Sequence, residues 1–234
     1  MADRPFDEYA EKYDAWFLKN RRILESEVLL LKHFLDSPGK ALSVGCGSGL
    51  FEHILRSEHD IDIRHGVEPA GGMAQIAEKR GMTVRSGSAE ALPFDAEEFD
   101  TVILNGTPGY IDDLKQAFSE AGRVLQPGGA IVVADVPAES SYGLLYQLAT
   151  VKGSWDDPYL SSLAPAHPYP IEFAAAARWR TTAEKIELLA EVGFVNLEFA
   201  QTLTVHPKFS NDEVEQPVEG YDRGDYVAIR GRKQ

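Results

Sequence analysis

At 234 residues, with 44% hydrophobic and 26% charged side chains, the chain is long enough for one well-buried domain and short for two. Its formal net charge of −14, with basic runs no longer than "KNRR" at 19–22 and "RGRK" at 230–233, argues against a nucleic-acid substrate. It holds no apolar run of about 18 residues to span a membrane, no apolar signal segment in "MADRPFDEYAEK", and one cysteine, so a cytoplasmic setting is expected.

In chain order, Leu24, Val28, Leu31 and Leu35 recur at helical spacing until Pro38-Gly39 stops the run. "ALSVGC" follows as a buried strand, and "GLFEHILRS" as a helix with Leu50, Phe51, Ile54 and Leu55 on one face. "IDIRHGVEP" alternates through Ile61, Ile63, His65 and Val67 as a strand closed by Pro69. "MAQIAEKRG" reads as a helix, "MTVRSG" as a short strand, and "FDTVILNG" as an apolar strand buried on both faces. Asp112 can N-cap the helix through Leu114, Phe118, Ala121 and Leu125, and Pro127-Gly128-Gly129 turns the chain into the strand "AIVVADV". Regularity breaks over 137–180, where Tyr142, Tyr146, Trp155, Tyr159, Tyr169, Phe173 and Trp179 sit among prolines. This stretch is either a lid over a pocket or an aromatic cluster packed on the main core. Thr181 or Thr182 then caps "AEKIELLAEVG", and "FVNLEFAQTLTV" and "DYVAIRG" read as strands joined without a helix, hence antiparallel at the sheet edge. The alternation predicts an α/β, doubly wound, mostly parallel sheet with its ligand at the carboxyl ends of the strands.

The loop after the first strand carries Gly45, Gly47 and Gly49, a G-x-G-x-G run. Glycine admits positive φ and close approach of main chain to a ligand, and the following helix N-terminus favours an anionic group. The dinucleotide fingerprint needs glycine where Leu50 stands, and a phosphate loop needs a Gly-Lys-Ser/Thr that is absent. Glu68 ends the second strand roughly twenty residues on, where a carboxylate can hold ribose hydroxyls.

Taken in order, these segments resemble the class I S-adenosylmethionine-dependent methyltransferases, in particular the small-molecule type 11 group. "LSVGCGSG" is similar to the first motif, "GVEPAGGMAQIAEKRG" to the ribose segment, "GSAEALPFDAEEFDTVIL" to the adenine segment and "AGRVLQPGGAIVVAD" to the fifth strand with its helix. "FDEYAEKYDAWF" resembles the leader that folds over the cofactor.

The resemblance implies a Rossmann-like sheet of seven strands with an antiparallel edge strand and a helical, aromatic insertion after strand 5. One domain is expected, with a leader (1–38), cofactor-binding core (39–136), substrate lid (137–180) and C-terminal helix and edge strands (181–234). S-adenosylmethionine would be the cofactor and S-adenosylhomocysteine its product. Gly45, Cys46, Gly47 and Gly49 would meet the methionine moiety, with Tyr9 or Tyr13 covering it. Glu68 and Pro69 would lie at the ribose, Met73, Ser88, Ala89 and Glu90 at the adenine, and Asn105 and Gly106 by the sulfonium. Ser43 and Ser88 depart from the family, which often has acids there, so either a weaker cofactor affinity or a compensating acid such as Glu90 is expected.

Methyl transfer needs positioning and, for a protonated nucleophile, a base. Asp135 orients a substrate amine or caps the next turn, His167 and His206 are bases or solvated loop residues, and Tyr110 lines the acceptor pocket or the core. Asn105, Pro108 and Tyr110 are too widely separated for the compact signature of DNA amino-methyltransferases, and no metal site is expected. The acceptor is expected to be a small molecule, in a pocket formed by the leader, 137–180 and the loop at 205–223. The oligomeric state stands open between monomer and homodimer. Another group transfer from the same cofactor, or an inactive cofactor-binding partner subunit, are the alternatives.

Overall fold

A computed structural model of the chain describes residue 6 and residues 10–234. Helices α1 (Ala10–Lys19) and α2 (Arg21–Phe34) come first, and the stripe of Leu24, Val28, Leu31 and Leu35 is buried throughout. Next, β1 (Ala41–Val44), α3 (Leu50–His59), β2 (His65–Val67), α4 (Gly71–Lys79) and β3 (Thr83–Arg85) alternate. Strand β4 (Phe99–Asn105) leads through a 3-10 turn at Pro108–Tyr110 to α5 (Leu114–Val124) and β5 (Leu125–Asp135). The insertion forms α6 (Ser141–Lys152) and α7 (Ile171–Ala176). Helix α8 (Thr182–Glu191), β6 (Phe194–Thr202), β7 (Val218–Glu219) and β8 (Tyr226–Lys233) complete the chain order.

The fold is the expected α/β arrangement, one sheet in the order β3-β2-β1-β4-β5-β8-β6-β7. Neighbours among β1 to β5 pair in parallel, whereas β8 runs antiparallel to both β5 and β6. One detail differs from expectation. Among the described residues the sheet has eight strands, because Val218–Glu219 pairs with β6, a piece too short for alternation to reveal. The expected antiparallel pairing of the two C-terminal strands is present; β7 forms the rim, and between β5 and β6 lies β8. Its unbroken buried run from Tyr226 to Ile229 explains this, since only an interior strand has both faces covered. Alternate residues of β4 and β5 serve opposite faces: Ile103 and Val132 join one core cluster, Val102, Leu104, Ile131 and Val133 the other.

Local caps decide where helices begin. Asp113, rather than Asp112, N-caps α5 by accepting from Gln116 N, and Thr181 forms a capping box with Glu184 on α8. Ser140 caps α6, and the buried Asp225 carboxylate accepts from Tyr142 N at 3.0 Å in the same first turn. Burial pushes the Asp225 carboxyl up to about 6 against these hydrogen bonds. Between its ordinary value near 4 and about 6, the native state holds a proton that the unfolded chain has released. This contribution to stability is full below about 4 and is lost as pH rises through about 6. Asp225→Asn is expected to flatten that part of the stability curve, measured as denaturant midpoints at half-unit steps from pH 4 to 6.5.

The chain runs from β1 to β2 and β3 on one side, then returns through β4 on the other. The crevice at the carboxyl ends of β1 and β4 is therefore the switch point at which such sheets bind ligands.

Candidate active site

Three glycines turn the chain from β1 into α3, all at positive φ: 66° at Gly45, 55° at Gly47 and 68° at Gly49. They are glycine for different reasons. A Cβ on Gly45 would stand 2.5 Å from Thr107 Cγ2, and one on Gly49 2.7 Å from Met82 Sδ, so both positions let neighbours close in. A Cβ on Gly47 would meet nothing within 4 Å. It would project into a cavity of about 290 Å³ lined by Tyr13, Ser43, Cys46, Gly47, Glu52 and Asn105.

Acids surround this cradle. Glu68, buried at the end of β2, accepts from Gly47 N at 2.9 Å and from Ala70 N at 2.8 Å. Glu52, in the first turn of α3, is also buried and accepts from Ser43 Oγ at 2.6 Å. Burial raises the Glu52 carboxyl, and the Ser43 hydrogen bond pulls it back down. The amides of Gly45 and Cys46 donate to Val67 O at 2.8 and 3.2 Å. A phosphate would find carboxylates here and engaged amides, whereas an ammonium, a sulfonium and a pair of ribose hydroxyls find acceptors. The cradle thus fits an adenosyl sulfonium amino acid and not a dinucleotide.

Helix α1 is fastened over the loop through Asp14, which accepts from Ser48 Oγ and pairs with Arg80 at 2.7 Å. Arg80 in turn donates to Ser48 O at 2.8 Å.

A second cavity, about 650 Å³ with its mouth, adjoins the first, since Tyr13 and Phe51 line both. Its walls include Glu27, Tyr110, Asp135, Tyr146, Tyr169 and Trp179. At the junction Asn105 Oδ1 accepts from Tyr226 OH at 2.8 Å. The leader and the insertion close over this space together. Lys12 pairs with Glu172, Trp16 Nε1 donates to His167 O at 2.9 Å, and Phe6 stacks on Phe173 at 4.9 Å.

Comparison with known proteins turns this geometry into a family assignment. A family model described as a methyltransferase domain, of type 11, matches residues 42–133. The chain is similar to a Thermotoga maritima structure described as a S-adenosylmethionine-dependent methyltransferase, possible histamine N-methyltransferase. Identity is 34%, the match covers 98% of both chains, and the TM-score is 0.83. The chain belongs to the class I S-adenosylmethionine-dependent methyltransferases.

Other relatives extend the likeness over the whole length. An uncharacterized protein of Methanocaldococcus jannaschii is 34% identical over 97% of this chain and 98% of its own. The Haloferax volcanii chain solved with the Trm112 methyltransferase activator shares the fold, at 18% identity, 99% coverage of both chains and a TM-score of 0.66.

Within this methyltransferase the expected site residues separate into groups. Tyr13, Gly45, Cys46, Gly47 and Asn105 line the cradle together, and Glu68 reaches it through Gly47 N. Gly49 faces Met82 and Ala77 instead, so helix packing accounts for it. Met73 is buried with Ala10 and Ala70 beside Tyr13, on the leader side of α4. Pro69 is exposed, and Ala89 is buried next to the partly buried Ser88. Glu90 accepts through one carboxylate oxygen from the amides of Asp112 and Asp113, at 3.2 and 3.4 Å. Tyr9 lies outside the described residues.

Among the acceptor-side candidates, Tyr110, Asp135 and Gly106 line the larger cavity. Asp135 also pairs with buried Lys185 at 3.2 Å and accepts from Val136 N, so it both faces the pocket and caps the turn. His167 lies off the cavity wall and contributes its carbonyl, while His206 is exposed and caps a 3-10 turn at Pro207–Phe209. The loop at 205–223 supplies no wall; α2 and Tyr226 take its place.

Two site residues escaped the sequence reading, Glu52 and Glu27. Each left a signal: Glu27 interrupts the apolar stripe between Leu24 and Leu31, and Glu52 lies in a helix turn facing a first strand that lacks its own acid. Among the described residues no group of His, Cys, Asp and Glu is arranged to hold a metal ion. No helix there is long and apolar enough to cross a membrane.

Proposed function

We propose that this methyltransferase acts on a small organic acceptor bound in the larger cavity, with the insertion at 137–180 as its lid. One observation carries the reading: an aromatic cavity adjoins the cofactor cradle, the two sharing Tyr13 and Phe51. The cofactor supplies an electrophilic methyl group on a sulfonium. The protein supplies placement, which in favourable cases is worth about 7–11 kcal/mol of barrier.

In this reading Glu68 holds the ribose hydroxyls, and Glu52 with Ser43 takes the ammonium that a first-strand acid holds in relatives. Met73, Ser88 and Ala89 bound the adenine, and Asn105, fixed by Tyr226, faces the acceptor side. Helix α1 and the lid exclude water. Burial pushes the Tyr110 hydroxyl above its ordinary range, so it orients the acceptor as a hydrogen-bonding wall instead of removing a proton. Asp135 and Glu27 are the carboxyl groups on the wall of this cavity, and an acceptor arriving with a free lone pair needs no base. The description of the Thermotoga maritima relative adds amines to the acceptor classes to try first.

Glu52→Gln is expected to weaken S-adenosylmethionine binding about tenfold, the scale of one charge-assisted hydrogen bond. Calorimetry reads it directly. For the reaction, methyl-labelled cofactor is incubated with the protein and a metabolite extract, then with RNA and protein fractions. Label is expected in the low-molecular-weight fraction. Label found only in macromolecules, or no cofactor binding at millimolar concentration, would overturn the proposal.

A further inference from the structure

Resting on the methyl-transfer reading, we infer that the acceptor carries a protonated nitrogen, seated against the Glu27 carboxylate between the aromatic walls of the larger cavity. Glu27 lies midway along α2, 5% exposed, and lines that cavity. No hydrogen bond or ion pair reaches it from any described residue. Burying an acid without a partner is unfavourable, so a fold that keeps one at a cavity wall is shaped for a ligand that completes it.

The surroundings select the sign of that ligand. Asp135 from β5, Tyr13 from α1, Tyr146 from α6 and Tyr226 from β8 line the same cavity as Glu27, and these together with Tyr142 of α6 interact with it electrostatically. None is a cation. Lys185 is committed to Asp135, and Arg178, at the rim, turns outward to Asp112. Desolvation and Asp135 both push the Glu27 carboxyl well above its usual range, and a cation seated at the wall would offset both.

The rings suit a cation equally well. Tyr146 stands 5.7 Å from both Tyr169 and Trp179, and Trp16 stands 5.0 Å from Tyr169. Trp16 and Trp155 donate their indole N–H groups to the carbonyls of His167 and Tyr169, which fixes the walls before a ligand enters. Aromatic faces attract ammonium groups, and an anion would meet Glu27 and Asp135.

The test compares matched probes by calorimetry with S-adenosylhomocysteine present: 2-phenylethylamine against 2-phenylethanol and phenylacetate, and 1,5-diaminopentane against 1,5-pentanediol. In the wild type at least one amine is expected to bind tenfold or more tightly than its alcohol, with phenylacetate weakest. Glu27→Gln is expected to cut that advantage below threefold, leave S-adenosylhomocysteine affinity unchanged, and melt at or above the wild-type temperature. A purely structural Glu27 would instead lower the melting temperature on substitution. Equal binding of amine and alcohol, no amine binding beside intact cofactor binding, or a full amine advantage in the variant each overturns the inference. The wild-type comparison needs no variant to fold. Failure of S-adenosylhomocysteine itself to bind would instead overturn the methyl-transfer reading.

Discussion

Glu68→Ala is expected to weaken S-adenosylmethionine binding by about 100-fold or more. A carboxylate that accepts from two hydroxyls makes two charge-assisted hydrogen bonds, each worth about 1.5–3 kcal/mol. Losing both removes at least about 3 kcal/mol, which is two powers of ten in affinity. The same side chain also accepts from Gly47 N and Ala70 N, so its removal loosens the cradle before any ligand arrives. Glu68→Gln keeps the shape but replaces one acceptor oxygen with a donor, and an intermediate loss is expected. Calorimetry on both variants decides: affinity within threefold of wild type in Glu68→Ala would end the ribose role.

Gly143→Ala is expected to destabilise the fold by about 2 kcal/mol, although alanine is the better helix former. The propensity gain is about 1 kcal/mol at most. Against it, a Cβ at this position would stand 2.1 Å from Pro137 O and 2.9 Å from Ala138 O. Both are main chain, so no rotamer change relieves the contact, and overpacking of this kind costs typically about 1–3 kcal/mol or more. The clash wins. Helix α6 must then shift away from the turn at Pro137–Ala138, carrying the cavity-lining Tyr146 with it. For a chain of this size the midpoint should fall by roughly 4–8 °C. Acceptor binding should weaken more than cofactor binding, because only the larger cavity touches α6. An unchanged or raised melting temperature would contradict this packing.

Much of the core was legible because its residues obey one period at a time. The stripe from Leu24 to Leu35 and the continuous run in β4 have a single physical reading, and both are buried as read. The glycine loop and Glu68 were legible because few ligands need bare main chain opposite an acid at that spacing. Glu52 and Glu27 were not, since an acid in an amphipathic helix reads as solvent-facing unless its neighbours are known. The partners of Glu90 were not legible either, because the amides of Asp112 and Asp113 that it accepts from lie more than twenty residues away in the chain. The place of β8 also lay beyond local pattern, because it depends on which distant strands leave an edge open.

That placement bears on how the molecule assembles. Strand β8 follows every other strand in the chain, yet it fills the slot between β5 and β6. Until it docks, two apolar strands present unpaired amides and carbonyls to the surroundings, and neither half of the sheet is bound to the other through hydrogen bonds. Closure by β8 is a long-range step, slow by its topology, and the interval before it is when this chain is most exposed to pairing with its own kind.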